Sequence, residues 1–180
     1  QNHLGDWGTQ FGMLIQYLDE HPDARWRHSD LVAGDVEPGA STVSALDGLY
    51  RVARTEFDAD PAFADRARAR VVALQAGDEA TLARWREIVD ESEIAFREIY
   101  GRLGVLLEPG DSAGESMYNQ WLPEVVDELL AAGVATYSDG AVVVESEDVK
   151  APDGQPAVLM VQKRDGGYGY HKLAYETVNM

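Results

Sequence analysis

The residues best equipped for chemistry lie in a few short stretches. In Gly5-Asp-Trp-Gly-Thr-Gln-Phe-Gly12, glycines at 5, 8 and 12 surround Asp6, Trp7, Thr9 and Gln10. Glycine lets the backbone turn sharply and come close to another group. The segment runs into an amphipathic helix, whose first amides and dipole would favour an anion or polar ligand. The same residues also fit a tight strand-to-helix turn anchored by a buried Trp. His3 adjoins this loop, whereas His21, His28 and His171 lie elsewhere, each with an acid nearby in the sequence. None has the His-Glu-x-x-His spacing of a zinc site. Gly114-Glu-Ser-Met-Tyr-Asn119 mixes a carboxylate, hydroxyls and an amide. It could line a site, or cap the next helix through Ser116 or Asn119. Gln162-Lys-Arg-Asp-Gly-Gly-Tyr-Gly-Tyr170 could present tyrosine hydroxyls into a cleft, or form an aromatic-rich strand.

These residues need a scaffold, and hydrophobic periodicity supplies its outline. A strand ending at Leu4 would put the glycine loop beside a ligand crevice, because ligands of open α/β sheets lie beyond the carboxyl ends of strands. A helix is predicted over Met13–Glu20, and a surface insertion over Asp35–Ser44. Three helical stripes follow. The first carries Leu46, Leu49, Tyr50, Ala53 and Phe57. The second opens at Asp60-Pro61, an N-cap followed by proline, and carries Phe63, Ala67, Val71 and Leu74. The third opens at Asp78 and carries Leu82, Trp85, Ile88, Val89, Phe96, Ile99 and Leu103; such stripes read as core-facing seams. A fourth helix is predicted from Leu122 to Ala132, with Gly133 ending it. The period then changes to β, over Ala141–Glu145 and Ala157–Lys163, with Pro152-Asp-Gly154 as a turn between two paired strands.

Composition narrows the function classes. The chain has 180 residues, 15 Lys+Arg against 32 Asp+Glu, and a formal net charge of −17. Such a field repels phosphate backbones, so general nucleic-acid binding by this chain alone is not expected. Arg66, Arg68 and Arg70 stand at alternate positions and read as a solvated helix face. The absence of cysteine excludes disulfides and thiolate sites. No apolar run approaches the ~18 residues of a membrane span. The first residue is Gln, with no charged-then-apolar leader after it, and the chain is expected to begin partway through a longer protein.

Asn2-His-Leu-Gly-Asp-Trp-Gly-Thr-Gln-Phe-Gly-Met-Leu-Ile15 resembles a signature of the arginyl-tRNA synthetases. Residues 47–57, Phe63–Gln75, Gly114–Asn119 and Val161–Tyr170 resemble further family segments in the same order. The resemblance spans roughly residues 1–170. It implies a class I synthetase, with an α/β fold in which this chain is an incomplete Rossmann-type catalytic domain carrying a mainly helical insertion and a β hairpin. It also implies a cytoplasmic arginine–tRNA ligase that joins arginine to ATP, accompanied by Mg²⁺, as an adenylate and passes the arginyl group to tRNA, with no metal held by the protein. On this resemblance Tyr170 contacts substrate arginine, and His3, Asp6, Trp7 and Gln10 line the active-site crevice. No catalytic residue is assigned.

The chain also departs from the family pattern. The Asp expected four residues after Tyr170 is replaced by Ala174, and the run from His171 to Met180 does not continue the pattern. The upstream His-x-Gly-His and downstream Lys-Met-Ser-Lys-type motifs are not in the sequence. The expected organisation is therefore 1–45, the end of a first nucleotide-fold half; 46–140, a helical insertion; 141–170, a hairpin leading into a second half; and 171–180, a divergent tail. The chain alone is expected to be inactive, and its strand edges to make it marginally stable or self-associating. The alternatives are a non-catalytic synthetase-like interaction module and an unrelated acidic α+β domain.

Overall fold

The computed structural model describes residues 1–31, 42–150, 154 and 156–168. Tyr170, Ala174 and the tail lie outside these residues, as does most of the expected insertion at 35–44, whose last three residues open a helix. The chain divides into two compact units, Gln1–Ala113 and Gly114–Met180. The mixed α/β content expected from the sequence is what both contain.

In the first unit, strand β1 (Asn2–Leu4) leads through the glycine segment into α1 (Thr9–Glu20). After a 3-10 turn (His28–Leu31) come α2 (Thr42–Ala59), α3 (Pro61–Gln75) and α4 (Glu79–Leu103). A short strand at the unit's end, β2 (Ser112–Gly114), is hydrogen-bonded to β1. Helix starts follow the expected chemistry. The Asp60 carboxylate accepts from the Ala62 N–H at 2.9 Å, with Pro61 at the first helical position. Asp78 caps α4 by accepting from the Thr81 N–H at 2.9 Å. Gly104, with φ +69°, ends α4 in the left-handed conformation that an L side chain resists.

The expected stripe of α3 is buried in full: Phe63, Ala67, Val71 and Leu74, joined by Ala64. Among the helices, α1 packs most extensively on α3, and contributes buried Met13, Ile15 and Leu18. Gly12 explains how the two approach so closely. A Cβ at that position would lie 2.4 Å from the Ala67 carbonyl oxygen and 2.4 Å from Val71 Cγ2. Two expectations need correction. α1 begins at Thr9, four residues before Met13, so Gly12 lies inside the helix. Leu103, expected in the α4 seam, is 72% exposed. The reason is length: α4 has 25 residues and α2, the helix it packs on most, has 18, or about 37 Å against about 27 Å, so α4 is longer than its main packing partner.

The second unit holds a 3-10 turn (Glu115–Tyr118), α5 (Leu122–Ala131) and the strands β3 (Thr136–Ser138), β4 (Ala141–Lys150) and β5 (Pro156–Gln162). The strands form an antiparallel sheet in the order β3-β4-β5, which contains the expected hairpin. The sequence reading missed β3, which is three residues long and exposed. Its signal is Asp139-Gly140, with φ +48° and +81°, the two left-handed positions of a tight hairpin turn. The β4–β5 register shifts between Val142 and Val143. Such a bulge re-aims side chains, and here Ala141, Val142 and Val143 are buried in succession. Neither Ser116 nor Asn119 caps α5; Trp121 stands at the N-cap without a side-chain hydrogen bond, and proline occupies the first turn.

Candidate functional site

The glycine segment joins β1 to α1 and is anchored from below. Asp6 and Trp7 are both buried, whereas His3 and Gln10 are exposed. The anchor is Trp85, in the second turn of α4. Its indole N–H donates to the Asp6 carbonyl oxygen at 2.7 Å. The Trp85 and Trp7 rings meet edge to face, with centroids 5.2 Å apart and planes at 88°. An edge-to-face pair adds about 0.5–1.5 kcal/mol beyond the area it buries. The loop is therefore a strand-to-helix turn held by a buried Trp, with exposed polar residues on either side of it. Gly8 takes the N-cap position of α1 in extended conformation, and no side chain caps the helix there.

A network of charges fixes α1 behind the loop. Arg70 of α3 pairs with Asp19 at 2.9 Å and donates to Gln16 Oε1 at 3.3 Å and Thr81 Oγ1 at 3.1 Å. Arg84 of α4 reaches Asp19 at 3.3 Å and Glu87 at 2.8 Å, and Glu87 also accepts from Arg27 at 2.7 Å. Arg66 donates to both carboxylate oxygens of Glu20, at 2.7 and 3.1 Å. This corrects the reading of Arg66–Arg70 as a solvated face. Arg66 and Arg70 are four residues apart, so they share one side of α3 and clamp α1; Arg68 instead pairs with Asp65 on its own helix. Hydrogen bonds from Arg66 hold the Glu20 carboxyl below its ordinary range, with a further contribution from the Gln16 amide. The Thr81 hydroxyl and N–H do the same for Asp78, and the Arg27 and Trp26 amides for Asp30.

The other candidate stretches stand separately. His21 packs on Tyr17 with centroids 4.2 Å apart and contacts Glu56 at 3.0 Å, which is a structural arrangement between α1 and α2. In the second unit, Tyr168 folds back to bridge Gln162. Burial, reinforced by the charge of Asp127, pushes its hydroxyl pKa up. Among the described residues no group of three or more His, Asp or Glu side chains is gathered as a metal would require. No helix among them is long and apolar enough to cross a membrane. The structural role of Trp85 had no local signal, since its partner Asp6 lies 79 residues earlier in sequence. The clamp did have one, in the four-residue spacing of Arg66 and Arg70.

The first unit is thus a strand, a glycine-rich turn and a helix that lead into further helices packed on it. The family described as tRNA synthetases class I (R), catalytic domain, matches residues 1–177. The chain belongs to this family. It is 73% identical over 178 residues to an arginine–tRNA ligase of Frankia casuarinae, covering 99% of this chain and 29% of that protein. It is 50% identical over 170 residues to an arginine–tRNA ligase of Streptomyces avermitilis, covering 94% of this chain and 28% of the relative. The crystal structure of arginyl-tRNA synthetase from Plasmodium falciparum matches with a TM-score of 0.63 and 27% identity, over 98% of this chain and 26% of that one. The chain thus spans less than a third of the length of these relatives. The family match also runs seven residues beyond Tyr170.

Proposed function

We propose that this chain is part of an arginine–tRNA ligase, and that it builds one rim of the pocket where arginine is activated. In the parent protein, the arginine carboxylate attacks the α-phosphorus of ATP, which enters with Mg²⁺, and pyrophosphate leaves. A terminal ribose hydroxyl of tRNA then attacks the adenylate carbonyl, and AMP leaves. No metal is held by the protein. Positioning and charge stabilisation carry most of such a displacement. His3 and Gln10 are the polar residues that the rim offers, Asp6 and Trp7 form its buried support, and Tyr170 contacts the arginine. The parent works in the cytoplasm on arginine, ATP and tRNA. The acidic chain alone binds no nucleic acid in general.

The observation that carries this reading is the Asn2–Ile15 signature in a chain 73% identical to an arginine–tRNA ligase. The test is charging of tRNA with radiolabelled arginine, with the complete parent protein and with the 180-residue chain side by side. The parent charges tRNA and the chain does not. Robust charging by the chain, or charging by the parent with another amino acid only, would overturn the reading. Ala174 favours a second reading, a non-catalytic synthetase-like interaction module, because an alanine cannot pair with a guanidinium as a carboxylate does. An intact parent that charges nothing would select it.

A further inference from the structure

From the contact between α4 and the glycine segment we infer that Trp85 is a positioning residue for the activation pocket, acting through the Asp6–Trp7 peptide. The inference rests on the functional reading above and goes beyond it by naming a residue outside the signature on which arginine binding depends.

The argument is geometric. A peptide unit is planar, so fixing its carbonyl oxygen also fixes the amide that follows. The Trp85 N–H holds the Asp6 carbonyl at 2.7 Å. It thereby sets the plane shared with the Trp7 amide, between two glycines that would otherwise leave the backbone free to turn. The edge-to-face contact with Trp7 at 5.2 Å sets the second coordinate, the orientation of the loop about that plane. Trp85 is itself braced: its neighbours Arg84 and Glu87 are tied to Asp19 of α1 and to Arg27. The same helix therefore holds both the loop and the helix that follows it. An error of about 1 Å in such a rim is enough to weaken substrate alignment.

The experiment uses the complete parent protein. Trp85→Phe keeps an aromatic edge against Trp7 and removes the N–H. Replacing Trp85 with 3-benzothienylalanine keeps the whole bicycle and exchanges only the N–H for sulfur, which covers the case in which the phenylalanine variant folds poorly. Phe63→Leu, in the first turn of α3 at the end where Arg66 meets Glu20, far along α1 from the glycine segment, serves as a control for lost stability alone. Initial rates of arginine charging and thermal unfolding are measured for all four proteins. The expected result is a five- to twentyfold rise in the KM for arginine with both Trp85 replacements, while Phe63→Leu lowers Tm and leaves this KM unchanged. A KM within twofold of the parent for the benzothienyl protein overturns the inference, as does an equal KM rise in Phe63→Leu. Absence of arginine charging by the unaltered parent overturns the functional reading, and this inference with it.

Discussion

Gly12→Ala separates a packing role from a ligand-contact role inside the signature. The added methyl would sit 2.4 Å from the Ala67 carbonyl oxygen and 2.4 Å from Val71 Cγ2. Ordinary carbon contacts lie at about 3.5–4.0 Å and carbon–oxygen contacts slightly closer, so both are about 1 Å too close. Val71 cannot simply turn away, because a β-branched side chain in a helix has one strongly preferred rotamer. The Ala67 oxygen belongs to the helix backbone and moves only if α3 moves. The helices must therefore separate, and overpacking of this kind costs about 1–3 kcal/mol. Against it stands the helix preference of alanine over glycine, worth about 1 kcal/mol. With two contacts this short, one of them backbone, the clash sits at the upper end of its range, and the net loss is about 1–2 kcal/mol. Gly48, in the middle of α2, supplies the opposite case: nothing lies within 4 Å of a Cβ there. Gly48→Ala should stabilise by about 0.5–1 kcal/mol. Urea unfolding of the 180-residue chain, followed by far-ultraviolet circular dichroism, measures both. If Gly12→Ala matches the unaltered chain, or tracks Gly48→Ala, the α1–α3 interface is not as tight as described and the reasoning fails.

Two further outcomes are expected. Glu20, Asp30 and Asp78 have carboxyl pKa values lowered by the hydrogen bonds they accept in the fold, so between the folded and unfolded values the unfolded chain binds more protons. Their contribution is complete above about pH 4–4.5, the unfolded range, and is lost as pH falls through the folded values; Tm measured from pH 7 downward should hold and then decline, and a flat profile to pH 3 would contradict it. In the hairpin turn, Gly140→Val forces a β-branched residue to φ +81° against the Arg164 side chain, which costs about 1–2 kcal/mol from backbone conformation alone and should appear as a lower urea midpoint for the unit that begins at Gly114.

How much of this was legible in the sequence depends on the range of the signal. The α3 stripe, the Asp60 and Asp78 caps and the paired strands follow from local rules, because each is read from a pattern within one element or from the turn signal between two neighbouring ones. The start of α1 did not, since glycines at 8 and 12 read as loop punctuation. Gly12 is helical because α3 needs the space, and that need is visible only when Ala67 and Val71 are opposite it. Leu103 failed for a related reason. Periodicity says which side of a helix is apolar, and says nothing about where its packing partner ends. The Arg66–Arg70 reading was recoverable: alternate spacing hid the fact that the outer two are one helical turn apart. Trp85 was beyond local reasoning, because its role depends on a contact 79 residues away.

The signature therefore mixes residues of different physical kinds, and its strength as a family mark does not make each member a ligand contact. Gly12 answers to α3, Trp7 to Trp85, and the Asp6 carbonyl to the same indole, whereas His3 and Gln10 are the exposed side chains. Loss of activity on replacing Trp7 would consequently be ambiguous, since the same change removes a buried ring and half of an edge-to-face pair. A role in chemistry has to be sought among the exposed members, by changes that leave the fold's stability where it was. The buried members are better read as the means by which a helical scaffold imposes one backbone path on a segment whose glycines would permit many. On that view the helices complete the segment: without α3 and α4 the Gly5–Gly12 sequence specifies a flexible turn, and with them it specifies one backbone path.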